Sequence, residues 1–441
     1  MPDIFIFVLY AVLFSALIWR WKFFHLTAIP RWWMPAAMGL KIFAGIIYWV
    51  VFTHFFQGKN DSFQYFNDTM LIHEQWEKNR DVFWSLMSGE PTDDPSLGHL
   101  KKILYHWDSG LRYGLTNDVS TLLKLNVLIA FISGGSFFVH GLFMGFFAFI
   151  GLTALFKAFV GLFAAKEKWL FIACFALPSV VFWSSSLIKE APLMMAFGLL
   201  LWSVEKWFGG KWKWKHVPVF LASFTLMIFL KEYVLIALAP ALVFLVVIKL
   251  SGQRFVVMKC ILVHALCFVV AQNAHHFFMG GDFLYVLNKK RVDFTNTAML
   301  YDAKSVIKVE PVVNTIEFVL SWPRAFALTY LRPHLAETRT WPQIVASIEN
   351  TIYALLIFLA LLTLKRPDKK HIPLLLASLS FVLALAFIIG NCVTILGALV
   401  RYRIPGLVLL IILCFYFINW PLLRKKISAI RPSEKTRPQA Q

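Results

Sequence analysis

The chain has 441 residues, of which 59% are hydrophobic and only 15% are charged, a composition that excludes an ordinary water-soluble globular protein. Its net charge of +19 comes from basic clusters that lie between long apolar runs. That is the pattern of cytoplasmic loops in a membrane protein, so we expect contact with membrane lipids and no nucleic-acid partner. The five cysteines are scattered through apolar stretches without metal-ligand spacing, which indicates packing rather than a disulfide framework or a metal site.

Apolar runs follow one another from the first residues almost to the C-terminus, and a helix needs ~20 apolar residues to cross a bilayer. The first run has Asp3 before it and Arg20 after it, the reverse of a signal peptide, so it is interpreted as a retained helix. The sequence predicts an all-α, polytopic transmembrane helical bundle of about 11 spans, within a range of roughly 10–13. The predicted spans are 4–19, 33–56, 138–163, 168–186, 190–207, 215–230, 234–250, 255–274, 346–364, 373–390 and 404–421.

Two further apolar segments are predicted to be re-entrant or interfacial instead of crossing. The segment 122–137 is short for a crossing and contains the pair Gly134-Gly135. The segment 313–331 is interrupted by Trp322-Pro323-Arg324. Two long extracytoplasmic loops, about 57–121 and 275–347, are predicted to carry interfacial helices.

Placing the basic clusters inside gives a single orientation for the chain. We predict one transmembrane domain over residues 1–421 and a basic cytoplasmic tail over residues 422–441. We expect the protein to be integral to the plasma (inner) membrane, with its N-terminus outside and its C-terminus in the cytoplasm.

Candidate site residues follow at the outer ends of the predicted spans. Asp61 and Asp68 come after the second span, where a partly desolvated carboxylate could serve as a general base; the alternative is an ordinary solvated loop acid. Lys189-Glu190 and Lys231 lie at two successive outer turns, which suggests a shared polar chamber, although a local ion pair or a snorkelling lysine also explains them.

Arginines on the outer side break the positive-inside rule. Arg401 and Arg403 enter the last span from outside, and their planar heads match phosphate oxygens at two points, against the alternative of interfacial snorkelling. Arg324 and Arg332 in the second long loop are further candidate anion ligands. No phosphate-binding glycine loop, HExxH motif or local Ser/His/Asp arrangement is present in the sequence.

Taken together, these features resemble the GT-C superfamily of integral-membrane glycosyltransferases. The resemblance is carried by an acid after an early span with a tyrosine four residues on, surface helices in the first outer loop, a Pro-Ser and Phe-Trp helix end, and a late Arg-Tyr-Arg-x-Pro. The residues concerned are Asp61, Tyr65, Pro178, Ser179, Phe182, Trp183 and the run Arg401-Tyr402-Arg403-Ile404-Pro405. An additional early span and a single acid in Asn60-Asp61 depart from the family pattern.

The resemblance implies a membrane enzyme that moves a sugar from a polyprenyl-phosphate carrier to a glycan, lipid or protein acceptor on the extracytoplasmic face. Asp61, or else Asp68, would be the base, and Arg401, Arg403, Lys231 and Lys189 would bind the lipid phosphate, with Glu190 and Tyr65 beside them. No cofactor is indicated, and a divalent cation is left open. The alternatives are a polysaccharide polymerase of O-antigen or exopolysaccharide type, a lipid or glycan transporter, and a structural membrane protein.

Overall fold

The computed structural model describes residues 2–27, 29–56, 60–90, 92–104, 118–276, 282–300, 305–338, 340–423 and 426. The described chain is helical without strands, which confirms the all-α class. The helices are, in order, α1 (Pro2–Arg20), α2 (Trp33–Val50), α3 (Asp61–Lys78), α4 (Arg80–Ser88), α5 (Pro95–Ile103), α6 (Asp118–Ser133), α7 (Phe137–Phe159), α8 (Glu167–Phe175), α9 (Pro178–Trp183), α10 (Glu190–Phe208), α11 (His216–Ser251), α12 (Val256–Gln272), α13 (Phe283–Leu300), α14 (Thr315–Leu320), α15 (Trp322–Leu331), α16 (Trp341–Leu362), α17 (Ile372–Cys392), α18 (Leu396–Tyr402) and α19 (Ile404–Phe417). The predicted basic tail lies outside the described residues except for positions 422, 423 and 426.

Six helical segments among the described residues are long and apolar enough to cross a membrane, as a membrane protein requires. They comprise α1, α2, α7, α11, α16 and α17, some with short extensions of the helix. The pair α18 and α19, which is bent by 61°, would be a seventh. These segments are fewer than the predicted crossings for two reasons. The helices α10 and α12 are not among the segments that are long and apolar enough to cross, and α11 contains two predicted spans.

The predicted crossing at residues 168–186 is wrong as a single helix. It is divided between α8 and α9, because Pro178 begins α9 and has no N–H with which to continue the helical ladder from α8. After α9 ends at Trp183, residues 184–188 are buried without regular helix before α10 begins. The two short helices and this irregular segment place Lys189 and Glu190 directly at the start of α10.

The helix α11 is divided by one residue, Lys231, whose backbone is not helical (φ −156°, ψ 79°). A straight helix of its 36 residues would measure about 54 Å. Both ends instead lie beside the C-terminal part of α10, since the His216 ring contacts Trp202 and the Lys249 ammonium donates to the Phe208 carbonyl at 2.9 Å. The helix is therefore a V with Lys231 at its apex, close to the turn that the sequence predicted between residues 230 and 234.

Close packing of α7 and α10 fixes the centre of the bundle. Gly151 of α7 faces Gly198 of α10, and a Cβ atom added to Gly198 would lie 1.9 Å from the Gly151 carbonyl oxygen. Only glycine at both positions allows the two backbones to touch, in the manner of small-residue contacts between membrane helices. This contact holds the start of α10, and hence Glu190, in a fixed place.

Candidate functional site

Charged side chains from five separate parts of the chain meet at the ends of helices. Three carboxylates each stand in the first turn of a helix, and three cations stand at a helix C-terminus, at a helix break or just before a helix. The acids are Asp61 of α3, Asp118 of α6 and Glu190 of α10, and the cations are Lys189, Lys231 and Arg401. Acids at helix N-termini and a cation at a C-terminus each complement the helix dipole, so the local sequence favours this arrangement. We call these six residues the charged cluster.

Arg401 links two of the acids. Its Nη1 donates to Asp61 Oδ2 at 3.0 Å, and its Nε lies 3.3 Å from Glu190 Oε1. Glu190 is only 2% exposed, whereas the Asp61 side chain is 40% exposed. The guanidinium is thus anchored on its inner side by a buried carboxylate and paired on its outer side with an accessible one. Tyr402 lies beneath it, with Arg401 Cζ 5.1 Å from the ring centroid.

The two lysines share the third acid. Lys189 donates to Asp118 Oδ2 at 2.7 Å, and Lys231 lies 3.9 Å from the same oxygen and 4.3 Å from the Tyr402 ring centroid. Burial alone would raise the pKa of the Asp118 carboxyl, but Lys189 and Lys231 hold it below its usual value. For Lys189 burial lowers the ammonium pKa, with repulsion from Lys231 adding to the effect and Asp118 opposing it. The cluster therefore balances three positive charges against three negative ones.

The interior of the cluster contains polar atoms without a hydrogen-bond partner in the described part of the chain. Glu190 Oε1 and Arg401 Nε face each other as an ion pair at 3.3 Å without a hydrogen bond, and the Tyr233 hydroxyl is buried without a hydrogen-bond partner among the described residues. Buried polar atoms are nearly always hydrogen-bonded in native proteins, so the Tyr233 hydroxyl is an atom that a polar group from a ligand or from water would satisfy. These atoms lie on the inner side of the site, beneath the exposed carboxylates.

The remaining predicted residues of the first loop lie along α3. Tyr65 is buried one turn after Asp61, and Lys189 Nζ lies 5.8 Å from its ring centroid, so the predicted acid-then-tyrosine spacing brings both residues to the cluster. Asp68 lies two turns after Asp61, about 10 Å along the helix axis, and is only 3% exposed. Between the two predicted bases, Asp61 is therefore the one that contacts Arg401.

Arg403 occupies a different environment from Arg401 although the two are only two residues apart. It is fully buried, and its guanidinium donates to the carbonyls of Thr329 and Arg332 at 3.0 and 3.1 Å and to Asn350 Oδ1 at 2.6 Å. Arg403 is thus held by protein partners, and its contact with phosphate stays a prediction. Its bonds instead fix the bend between α18 and α19 against α15 and α16, and that bend aims Arg401 at the cluster.

The other two predicted anion ligands have protein partners of their own. Arg332 forms a two-point pair with Glu337 at 2.9 and 2.8 Å, so both arms of its guanidinium are already matched to a carboxylate. Arg324 donates to Asn391 Oδ1 at 3.1 Å. Neither contact connects these arginines to the charged cluster, and their role in anion binding stays a prediction.

Sequence reasoning missed Asp118 as a site residue. The available signal was its place just before the apolar run 119–133, where an acid is typical of a helix N-terminus. Nothing in the local sequence indicated that this helix would begin beside Lys189 and Lys231. A second residue left unused was Lys41, which is buried in the middle of α2 and donates to the Ser184 carbonyl and hydroxyl at 2.9 and 2.7 Å.

Comparison with known proteins identifies no relative. A scan of protein families found no match, and searches of curated proteins and of solved structures found no similar chain. Over the residues that the structure describes, no group of three or more His, Cys, Asp or Glu side chains could hold a metal ion. Function is therefore inferred from the residues of the chain itself, and above all from the charged cluster.

Proposed function

We propose that this protein is a membrane glycosyltransferase that takes a sugar from a polyprenyl-phosphate carrier on the extracytoplasmic face. The observation that supports the proposal best is the pairing of Asp61 with Arg401 inside the charged cluster. Transfer to a hydroxyl requires a base for the acceptor and cations for the departing lipid phosphate. In the cluster a candidate base, Asp61, lies within hydrogen-bond distance of a cation, Arg401.

In this proposal the cations have the arrangement that a phosphate leaving group needs. Arg401 offers two donors in one plane, and Lys189 and Lys231 add two ammonium groups that are close enough to share one carboxylate. Arg401, Lys189 and Lys231 would bind the phosphate and stabilise the charge that develops on it. Asp61 would take the acceptor proton, which is worth ~10²–10⁴-fold in rate for a positioned base.

The membrane orientation belongs to the same proposal: about eleven crossings, with the N-terminus outside and the cluster on the outer face. Two contacts support this orientation, because each holds a basic residue that we assign to the inner face at the end of a helix away from the charged cluster. Lys249 meets Phe208 at the far end of α10 from Glu190, and Lys365 lies over the Tyr416 ring at the end of α19 that is remote from Arg403. Labelling of single cysteines should find positions near Asp61, Lys290 and Arg403 outside and those near Lys213, Lys369 and Lys426 inside; labelling of Asp61 and Lys369 positions from one side would contradict the orientation.

The catalytic assignment is tested with the Asp61→Asn variant, which preserves shape but removes the base. Purified protein in lipid nanodiscs is supplied with a panel of prenyl-phosphate sugars, and release of prenyl phosphate is measured. We expect Asp61→Asn to lose at least about a hundredfold in rate while it folds normally. Glu74→Gln is the matched control, because Glu74 is an exposed acid of the same helix that pairs with Lys78. A near-normal rate in Asp61→Asn would move the role of base to Asp68 or Glu190.

A further inference from the structure

The charged cluster is closed from outside by its own carboxylates. The Asp61 and Asp118 side chains are 40% and 34% exposed, whereas those of Arg401, Lys189 and Lys231 are 17%, 11% and 8% exposed. An anion that arrives from the membrane surface therefore encounters two carboxylates in front of the three cations. For a phosphate to reach those cations, the carboxylates must give up their places.

We propose that Asp61 and Asp118 are stand-ins for the phosphate oxygens of the donor, and that donor binding displaces both from their cations. This inference rests on the proposed function and adds to it the order in which the donor binds and the acceptor is activated. The donor phosphate would take Nη1 of Arg401 from Asp61, and the ammonium groups of Lys189 and Lys231 from Asp118. The cations keep their places, because Arg401 is anchored by buried Glu190 and Lys231 by the ring of Tyr402.

Helix geometry favours the exchange. Asp61 and Asp118 are the first residues of α3 and α6, where the helix dipole favours an anion. Phosphate binds well at such N-termini when cationic side chains are also present. A phosphate in the position of the two carboxylates would keep the electrostatic balance that those carboxylates provide in the free protein.

The exchange would also switch on the base. A carboxylate that is paired with arginine at 3.0 Å is a weak base, because the guanidinium stabilises its ionised form. Once the phosphate has replaced Asp61 at Arg401, the displaced carboxylate of Asp61 can accept the proton of the acceptor hydroxyl. The hydroxyl oxygen then bonds to the anomeric carbon, and the bond from that carbon to the phosphate oxygen breaks with its electron pair left on the prenyl phosphate. Donor binding therefore precedes activation of the acceptor.

The test uses a short-chain prenyl monophosphate, which carries no sugar and so reports binding without reaction. Its affinity is measured by calorimetry for the full-length protein in detergent micelles, with size exclusion as the check of folding. Removal of a competing carboxylate should tighten binding, so we expect Asp61→Asn and Asp118→Asn each to bind roughly threefold to tenfold more tightly. Arg401→Gln should weaken binding about tenfold or more. The control Glu74→Gln makes the same chemical change at an exposed ion pair and should leave the affinity unchanged.

The outcomes separate this inference from the proposed function. Unchanged or weaker binding in both folded Asn variants, with binding lost in Arg401→Gln, would overturn the exchange and leave the phosphate site standing. Absence of prenyl phosphate binding in the wild type and in every variant would overturn both. Inorganic phosphate is the second probe: if it binds as tightly as the prenyl compound and tightens in the same variants, the exchange holds and the lipid-linked donor is refuted.

Discussion

Replacement by lysine should have different effects at Arg401 and Arg403, the two arginines at the bend before α19. Arg403→Lys keeps a positive charge but loses the planar fork that reaches the Thr329 and Arg332 carbonyls and Asn350 together. A lysine can replace one of these bonds at best, and a charge-assisted hydrogen bond is worth ~1.5–3 kcal/mol, so the folded state should lose about 3–5 kcal/mol. Arg401→Lys keeps a cation beside Asp61 and Glu190 at a partly open site, but it loses the planar fork that reaches both acids and the Tyr402 hydroxyl. It should cost less than about 1 kcal/mol of stability while it lowers transfer about tenfold or more.

Thermal unfolding with a thiol-reactive dye measures the first effect, since Cys174, Cys392 and Cys414 are buried and become reactive only as the bundle opens. We expect Arg403→Lys to unfold about 3–5 °C below the wild type and Arg401→Lys within about 2 °C of it. The release of prenyl phosphate measures the second effect in the folded fraction. If Arg401→Lys is the less stable variant and Arg403→Lys is the stable but inactive one, the two roles assigned from the structure are reversed and the reasoning is refuted.

Three further predictions concern packing and charge. Gly198→Ala should destabilise the bundle by about 3 kcal/mol, because the added methyl meets the Gly151 backbone; Gly39→Ala, with no atom within 4 Å of the added Cβ, is the control, and equal unfolding temperatures would contradict the contact. Asp118 has a lowered pKa in the folded state, so its pairing stabilises the protein above the unfolded pKa of ~3.9 and is lost on acidification; the advantage of the wild type over Asp118→Asn in unfolding temperature should shrink between about pH 7 and pH 3.5. Glu349 accepts three hydrogen bonds from the Ser179 backbone and two hydroxyls, so Glu349→Gln should lower the free energy of unfolding by about 1–2 kcal/mol, and an unchanged melting curve would show that the network is dispensable.

The sequence predicted the helical class and most helix positions, because apolar length and charge placement act locally. It located the turn at Lys231 to within a few residues, since a lysine and a glutamate between two apolar runs mark a chain reversal at the membrane edge. It failed over residues 168–186, where total apolar length suggested one span. There the missing N–H of Pro178 decided the local structure.

The candidate site could be predicted as a set of residues but not as a geometry. Asp61, Lys189, Glu190, Lys231 and Arg401 were each singled out from the sequence, yet nothing in it indicated which cation would meet which acid. Side-chain direction was the missing quantity. Side chains two residues apart on a helix point ~200° apart. Arg401 therefore faces the charged cluster, whereas Arg403 faces a group of buried carbonyl oxygens.

The long separation in sequence between Asp61 and Arg401 has a consequence for biosynthesis. The two residues are 340 positions apart, and a ribosome that adds ~5–20 residues per second needs roughly 17–70 s between them. During that interval Asp61, and later Glu190, are synthesised before the guanidinium that joins them. The arriving α18 closes the cluster, so insertion of the last part of the chain decides whether the earlier helices settle into one bundle. A nascent chain that stalls before Arg401 would hold Asp61 and Glu190 without this arginine, a state that quality-control proteases can recognise as unfinished.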